Sequence, residues 1–178
     1  CWCGVLAGHA TLALRRKYST SCFWQDVKKF DASAIGYVGE LCRYLIDAPV
    51  SELEHGHRVT KMIGNGMRPN IWNQFKTRFG IQEILELYAS SEGNVGFTNI
   101  FNFDNTVGFS PTPYAIVEFD KENNVPVKDA NGWCKKVKAG ETGLLIGKIT
   151  SRSPFDGYTK KKKNKAVIMR DVFKHGDA

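Results

Sequence analysis

The sequence predicts an α/β fold: a mostly parallel sheet with helices on both faces, followed by a small antiparallel β lobe. Three observations predict it. Strand-like and helix-like patterns alternate about four times between residues 10 and 92. Pro49, Pro69 and Gly80 mark helix boundaries within that alternation. After residue 105 the pattern changes to period-two alternation separated by turn residues. The division expected is residues 1–105 for the α/β part and residues 106–178 for a β-rich part with a C-terminal helix.

Taken in order, GVLAGHATLAL (4–14) reads as a helix end broken at Gly8 and followed by a short strand. YSTSCFWQDVKKF (18–30) reads as a helix, capped by Ser19 or Thr20, with Phe23, Val27 and Phe30 at helical spacing. SAIGYVG (33–39) is a buried strand, and ELCRYLID (40–47) a short helix stopped by Pro49. SELEHGH (51–57) is a polar connection, after which RVTKMIG (58–64) returns to strand. PNIWNQFKTRFG (69–80) is a helix with Pro69 at its first position and Gly80 as its C-cap. IQEILELYA (81–89) is the next strand. In the second part, PYAIVEF (113–119) and GETGLLIGKI (140–149) are strands, with Asn131-Gly132 marking a turn between them. NKAVIMRDVFKHGDA (164–178) reads as a helix closed by Gly176. No internal repeat is present.

The chain has 178 residues, 42% of them hydrophobic, enough for a real core. No run reaches the ~18 apolar residues of a membrane-spanning helix. It begins Cys1-Trp2-Cys3 without a signal-peptide pattern and reads as an internal fragment of a longer protein. The five cysteines, Cys1, Cys3, Cys22, Cys42 and Cys134, are odd in number and widely spaced, which predicts reduced thiols in a cytoplasmic protein rather than a zinc site or a paired framework. The net charge of +7 is concentrated in Lys160, Lys161, Lys162, Lys163 and Lys165. That run is either a solvated loop or a contact for an anionic membrane surface or a polyphosphate. Without interleaved aromatics it argues against nucleic acid.

Parallel sheets bind ligands beyond the carboxyl ends of their strands. Two such loops stand out. In GNGMRP, Gly64 and Gly66 permit close backbone approach to a flat ligand and Asn65 offers both a donor and an acceptor; the same residues also make an ordinary strand-to-helix turn. It is not a P-loop, since the lysine and spacing are missing. In YASSEGN, Tyr88 offers a ring face, Ser90 or Ser91 a hydroxyl for a phosphate oxygen, and Glu92 a carboxylate for Mg²⁺. Read singly, Tyr88 is a core aromatic and Glu92 a solvated loop acid. Together, on one rim with the glycine turn, they point to a nucleotide site.

YASSEGN resembles the Tyr-Gly-x-Thr-Glu signature of the adenylate-forming acyl ligases, and most of all their fatty acid transport protein and very-long-chain acyl-CoA synthetase branch. GYVGELCRYLI, GNGMRPNIWNQFKTRFG, ETGLLIGKI and RDVFKHGDA resemble the same branch in the same order, so the likeness covers nearly the whole chain. The resemblance implies that both parts belong to one larger N-terminal domain, and that the protein activates long-chain or very-long-chain fatty acids with ATP, Mg²⁺ and coenzyme A through an acyl adenylate. It implies a catalytic pair, Ser91 and Glu92, with Glu92 the metal ligand. It implies a nucleotide-binding set of Gly64, Asn65, Gly66, Tyr88, Ala89, Ser90 and Asn94, with the glycine turn lining the adenine and Tyr88 stacking on it. Tyr37, Val38, Gly39 and Glu40 match a wall of the acyl pocket. Ala89 stands where the family has Gly, and Ser91 where it has Thr; the hydroxyl is kept. The family's phosphate loop, its Thr-Gly-Asp ribose motif and its lid lysine are not found in the chain, and Asp177 in HGDA is not assigned to the ribose role. The 178 residues alone are therefore expected not to turn over. The alternative is a non-catalytic nucleotide- or fatty-acid-binding module of the same ancestry.

Overall fold

A computed structural model describes residues 2–91, 93–159 and 161–178; Cys1, Glu92 and Lys160 lie outside it. The residues fall into two compact units. The first comprises residues 1–88 and 98–109, the second residues 89–97 and 110–178. The chain thus leaves the first unit after Tyr88, returns at Thr98 and leaves again after Phe109.

The first unit is built on a parallel sheet. Strands β1 (Ala34–Val38), β2 (Lys61–Asn65), β3 (Glu83–Tyr88) and the short β4 (Phe97–Thr98) stand in the order β1-β2-β3-β4. The β1–β2 and β2–β3 pairs are both parallel. Helix α1 (Trp2–Ala7) opens the chain and α2 (Phe23–Lys29) precedes β1. Helices α3 (Gly39–Asp47) and α4 (Pro69–Phe79) form the β1–β2 and β2–β3 crossovers. Helix α4 buries Ile71, Trp72, Phe75 and Phe79, spaced to form one stripe. Pro69 starts it and Gly80, at φ 66°, ends it in the left-handed conformation that glycine adopts without a steric penalty. These side chains meet Trp24, Val27, Met62 and Ile84 in a single core.

Two polar arrangements, one buried and one at the surface, hold loops of this unit. Glu54 is 2% exposed and receives Arg78 Nε at 3.0 Å and Nη2 at 2.6 Å. The same guanidinium donates to the carbonyls of Ile46 and Ala48, closing the end of α3. In the connection expected to be merely polar, residues 52–54 form a 3₁₀ turn with a Ser51–Glu54 capping box. Asp104 accepts from Trp72 Nε1 at 2.9 Å and Lys76 Nζ at 2.7 Å, fixing the 98–109 excursion on α4.

The second unit is antiparallel. Strand β5 (Tyr114–Val117) pairs with β8 (Leu144–Gly147), and β6 (Phe119–Asp120) with β7 (Val125–Pro126). Its core cluster is small, with Val117, Cys134 and Val172 buried and Ile146, Met169 and Phe173 packed against them. Helix α5 (Lys161–Val167) is short.

Several expectations need correction. No strand forms at residues 10–14, which are largely exposed and pair with no neighbour in the sheet order. Helix α2 starts at Phe23 after Cys22 and has no side-chain cap, so neither Ser19 nor Thr20 fills that role. The lysine run is helical over Lys161–Lys165 rather than a loop, and the expected helix over 164–178 ends at Val167. Beyond it the backbone bonds elsewhere: Val172 accepts from Cys134 N at 2.8 Å, and Asp177 captures the amides of Val172 and Phe173. A helix there would forfeit those bonds. Cys22, Cys42 and Cys134 are free thiols, as the wide spacing suggests. No helix among the described residues is long and apolar enough to cross a membrane.

Candidate functional site

The Gly64–Gly66 turn lies where the sequence pattern puts it, at the carboxyl end of β2. Parallel register sets Tyr37 opposite Gly64 and Val38 opposite Asn65. The two strand ends therefore carry two of the expected segments, Tyr37–Glu40 and Gly64–Gly66, side by side. They touch closely enough to require glycine on both. A Cβ at Gly39 would overlap the carbonyl oxygen of Gly66 and stand 2.9 Å from the amide nitrogen of Met67. A Cβ at Gly64 would overlap the Tyr37 carbonyl and come within 2.7 Å of the Tyr37 ring. Gly66, at φ 81°, makes the turn itself. Asn65 and Gly66 are exposed at the rim.

Beneath this turn is a residue that the sequence reading passed over. Glu86 is 2% exposed, on the β3 face that also buries Ile84. Its Oε1 accepts from the Gly66 amide, both oxygens stand 3.3 Å from the Met67 amide, and Oε2 accepts from the Tyr37 hydroxyl. The negative charge is felt nearby. Burial, followed by the hydrogen bond to Glu86, pushes the Tyr37 phenol well above its ordinary value. Burial, followed by the charge of Glu86, pushes the Cys42 thiol up to about 12, so it stays protonated and inert. The signal was present in the sequence: in Ile84-x-Glu86-x-Tyr88 the period of two puts the acid on the same face as the buried Ile84.

The members of the Tyr37–Glu40 segment, expected to wall an acyl pocket, differ among themselves. The Tyr37 ring is buried in the core, at 7% exposure, and backs the segment from inside. Val38 is 52% exposed. Gly39 is buried at the start of α3. Glu40 is held by Arg43, whose Nε stands 3.1 Å away, and by Arg68 at 3.6 Å; the hydrogen bond to Arg43 lowers its pKa.

Tyr88, at the end of β3, is 47% exposed, one turn of the strand pattern beyond Glu86 and on the same face. Ala89, Ser90 and Ser91 are exposed and belong to the second unit. Glu92, the expected catalytic acid and metal ligand, lies outside the described residues, and no group of three or more metal-binding side chains occurs among those described. Asn94 has internal partners: its Nδ2 donates to the carbonyls of Lys148 at 2.9 Å and Ser153 at 3.2 Å, while Ser153 Oγ donates to its carbonyl at 2.6 Å. Within the second unit a cavity of about 660 Å³ runs past Ser90 and Asn94 to Ile146, Met169, Phe173 and Asp177. Asp177 has a local duty, closing the 171–177 turn through the Val172 amide at 2.6 Å and the Phe173 amide at 3.1 Å.

Comparison with known proteins bears on this geometry. No protein-family model matches the chain. The medium/long-chain fatty acid–CoA ligase FadD6 of Mycobacterium tuberculosis is 44% identical over 173 residues, 97% of this chain. The long-chain fatty acid transport protein 2 of Rattus norvegicus is 44% identical over 98% of the chain, and the human long-chain fatty acid transport protein 6 is 39% identical over 94%. The chain is homologous to long-chain fatty acid transport proteins and fatty acid–CoA ligases. It spans 29% of the length of the first two relatives and 28% of the third. Among solved structures, ATP-bound MatB from Rhodopseudomonas palustris superposes with a TM-score of 0.66 over 97% of this chain and 32% of its own, at 15% identity. A benzoate CoA ligase from Burkholderia xenovorans gives 0.62 at 19% identity. These likenesses show the fold alone: the chain shares it with 32% of the length of each of these two proteins.

Proposed function

We propose that this chain is an internal part of an ATP-dependent fatty acid–CoA ligase that activates long-chain or very-long-chain fatty acids by way of an acyl adenylate. The single observation that carries the reading is the 44% identity to a medium/long-chain fatty acid–CoA ligase across 97% of the chain. The geometry supports it. Parallel strands end in a glycine turn that exposes Asn65 and Gly66, as a nucleotide edge requires.

The reaction's difficulty is that a carboxylate must attack the α-phosphate of a polyanion, breaking the α–β phosphoanhydride bond and releasing pyrophosphate. In this reading Gly64–Gly66 border the adenine and Tyr88 stacks on it, and Ala89, Ser90 and Asn94 are read as further nucleotide-binding residues. Ser91 donates its hydroxyl to a phosphate oxygen, and Glu92 holds Mg²⁺. When bound, that ion supplies charge neutralisation at the phosphate oxygens. Tyr37, Val38, Gly39 and Glu40 back the fatty acid. Coenzyme A then receives the acyl group as AMP leaves. The expected parts, residues 1–105 and 106–178, differ from the two compact units mainly in residues 89–97, and both parts are read as subdomains of one larger N-terminal domain. We further read the lysine run, in which Lys162 and Lys165 are exposed, as a peripheral contact for an anionic membrane surface facing the cytoplasm.

The test is fatty-acid-dependent exchange of pyrophosphate into ATP by the full-length protein. Exchange is expected, and Glu92→Ala is expected to lower it about 100-fold with the fold intact, a loss typical of removing one transition-state charge contact. Tyr88→Ala is expected to raise the ATP requirement. Nucleotide or fatty acid binding without any exchange would replace this reading with a non-catalytic module. Unchanged exchange in Glu92→Ala would remove Glu92 from its role.

A further inference from the structure

The proposed chemistry gives no task to the buried carboxylate of Glu86. Glu86 is 2% exposed and sits where strand alternation calls for an apolar side chain. A buried carboxylate is costly unless its oxygens are hydrogen-bonded. Three donors converge on it: the amides of Gly66 and Met67 and the hydroxyl of Tyr37. Two of the three are main-chain groups of the rim turn itself, and the third comes from the residue paired with Gly64 in the sheet.

We infer that Glu86 is a positioning residue that presets the Gly64–Gly66 turn for the nucleotide. The turn would otherwise be a short glycine-rich segment with many accessible conformations, since glycine loses the most freedom on ordering. The carboxylate draws the Gly66 and Met67 amides inward, Gly39 seals the turn from the side, and Gly66 is fixed at φ 81°. Asn65 then stands at the exposed edge in one conformation before any ligand arrives, so binding does not have to supply the ordering. Glu86 touches no reacting atom in this scheme; it acts through the turn. A glutamine cannot replace it fully. Its NH₂ group would face the Met67 N–H and the Tyr37 hydroxyl, where the second carboxylate oxygen now accepts.

The inference rests on the reading of Gly64–Gly66 as the adenine edge, and the experiment separates the two. Steady-state kinetics would be measured on the full-length protein as wild type, Glu86→Gln and Tyr37→Phe. Glu86→Gln is expected to raise the KM for ATP about tenfold, as loss of a charge-assisted contact implies, with the KM for fatty acid within about twofold of wild type. Tyr37→Phe leaves both amides held and is expected to raise the ATP KM less than about threefold. An unchanged ATP KM in folded Glu86→Gln overturns the inference, as does a fall in kcat with both KM values unmoved. A wild type without ATP dependence instead overturns the functional reading. Should Glu86→Gln fail to fold, hydrogen exchange on the wild type decides. Slow exchange at the Gly66 and Met67 amides without nucleotide is expected; free-loop exchange until ATP is added overturns the preset turn.

Discussion

The two units of this chain are held together by different physics. The first has a continuous apolar core in which Trp72, Phe75, Phe79, Met62 and Ile84 are all at or below 1% exposure. The second buries Val117 completely, and among the described residues its core cluster adds Cys134 and Val172, each at 6% exposure. With so small a core, it leans more on side chains that capture main-chain groups: Asn94 on the Lys148 and Ser153 carbonyls, Asp129 on the Asn131 and Trp133 amides, Asp177 on the Val172 and Phe173 amides. Burial is strong and non-directional, whereas such bonds are individually modest but specific in geometry. A truncated core side chain should therefore cost the first unit more than the second.

The largest expected effect is in the first unit. Phe75→Ala leaves a cavity where no solvent reaches and should cost about 4 kcal/mol, while Val117→Ala in the second unit should cost about 2 kcal/mol. Urea unfolding monitored by tryptophan fluorescence compares the two. Equal costs would erase the contrast between the units.

Next comes Arg78→Ala, which strands the buried Glu54 and should cost about 3 kcal/mol at neutral pH. The hydrogen bond from Arg78 holds the Glu54 carboxyl below its ordinary value near 4.5. A folded-state pKa below the unfolded one contributes stability that is fully present above pH 4.5 and is lost as pH falls through the folded value. The gap between wild type and Arg78→Ala should thus be widest at neutral pH and narrow in acid. A gap independent of pH would mean that packing of the arginine, not its charge, matters.

The smallest effect sharpens the account of the second unit. Asn94→Ala removes two hydrogen bonds and should cost about 1.5 kcal/mol. If the ATP KM of the full-length variant stays at the wild-type value, Asn94 is a loop fastener and leaves the nucleotide set. If it rises with little loss of stability, the ligand reading of Asn94 gains.

The same contrast explains what could be read without coordinates. Strands β1 to β3 and helices α3 and α4 were legible because apolar periodicity, Pro69 and Gly80 are local signals that agree with the core they build. The 164–178 segment was misread because its apolar spacing also fits a helix, and only the capture of amides by Asp177 decides otherwise. At the site, the Gly64–Gly66 turn was legible from its place after an apolar strand. The need for Gly39 was not, since it arises from a neighbour distant in sequence. Glu86 was overlooked for a different reason: in EILELY it passes as a strand-edge acid unless its alternation with Ile84 is followed inward.

Photolabelling of the full-length protein with 8-azido-ATP, followed by peptide mapping, tests the central claim most directly. The account predicts label on the peptides that contain Gly64–Gly66 and Tyr88, suppressed by excess ATP. Label elsewhere, with these peptides unmodified, would contradict it.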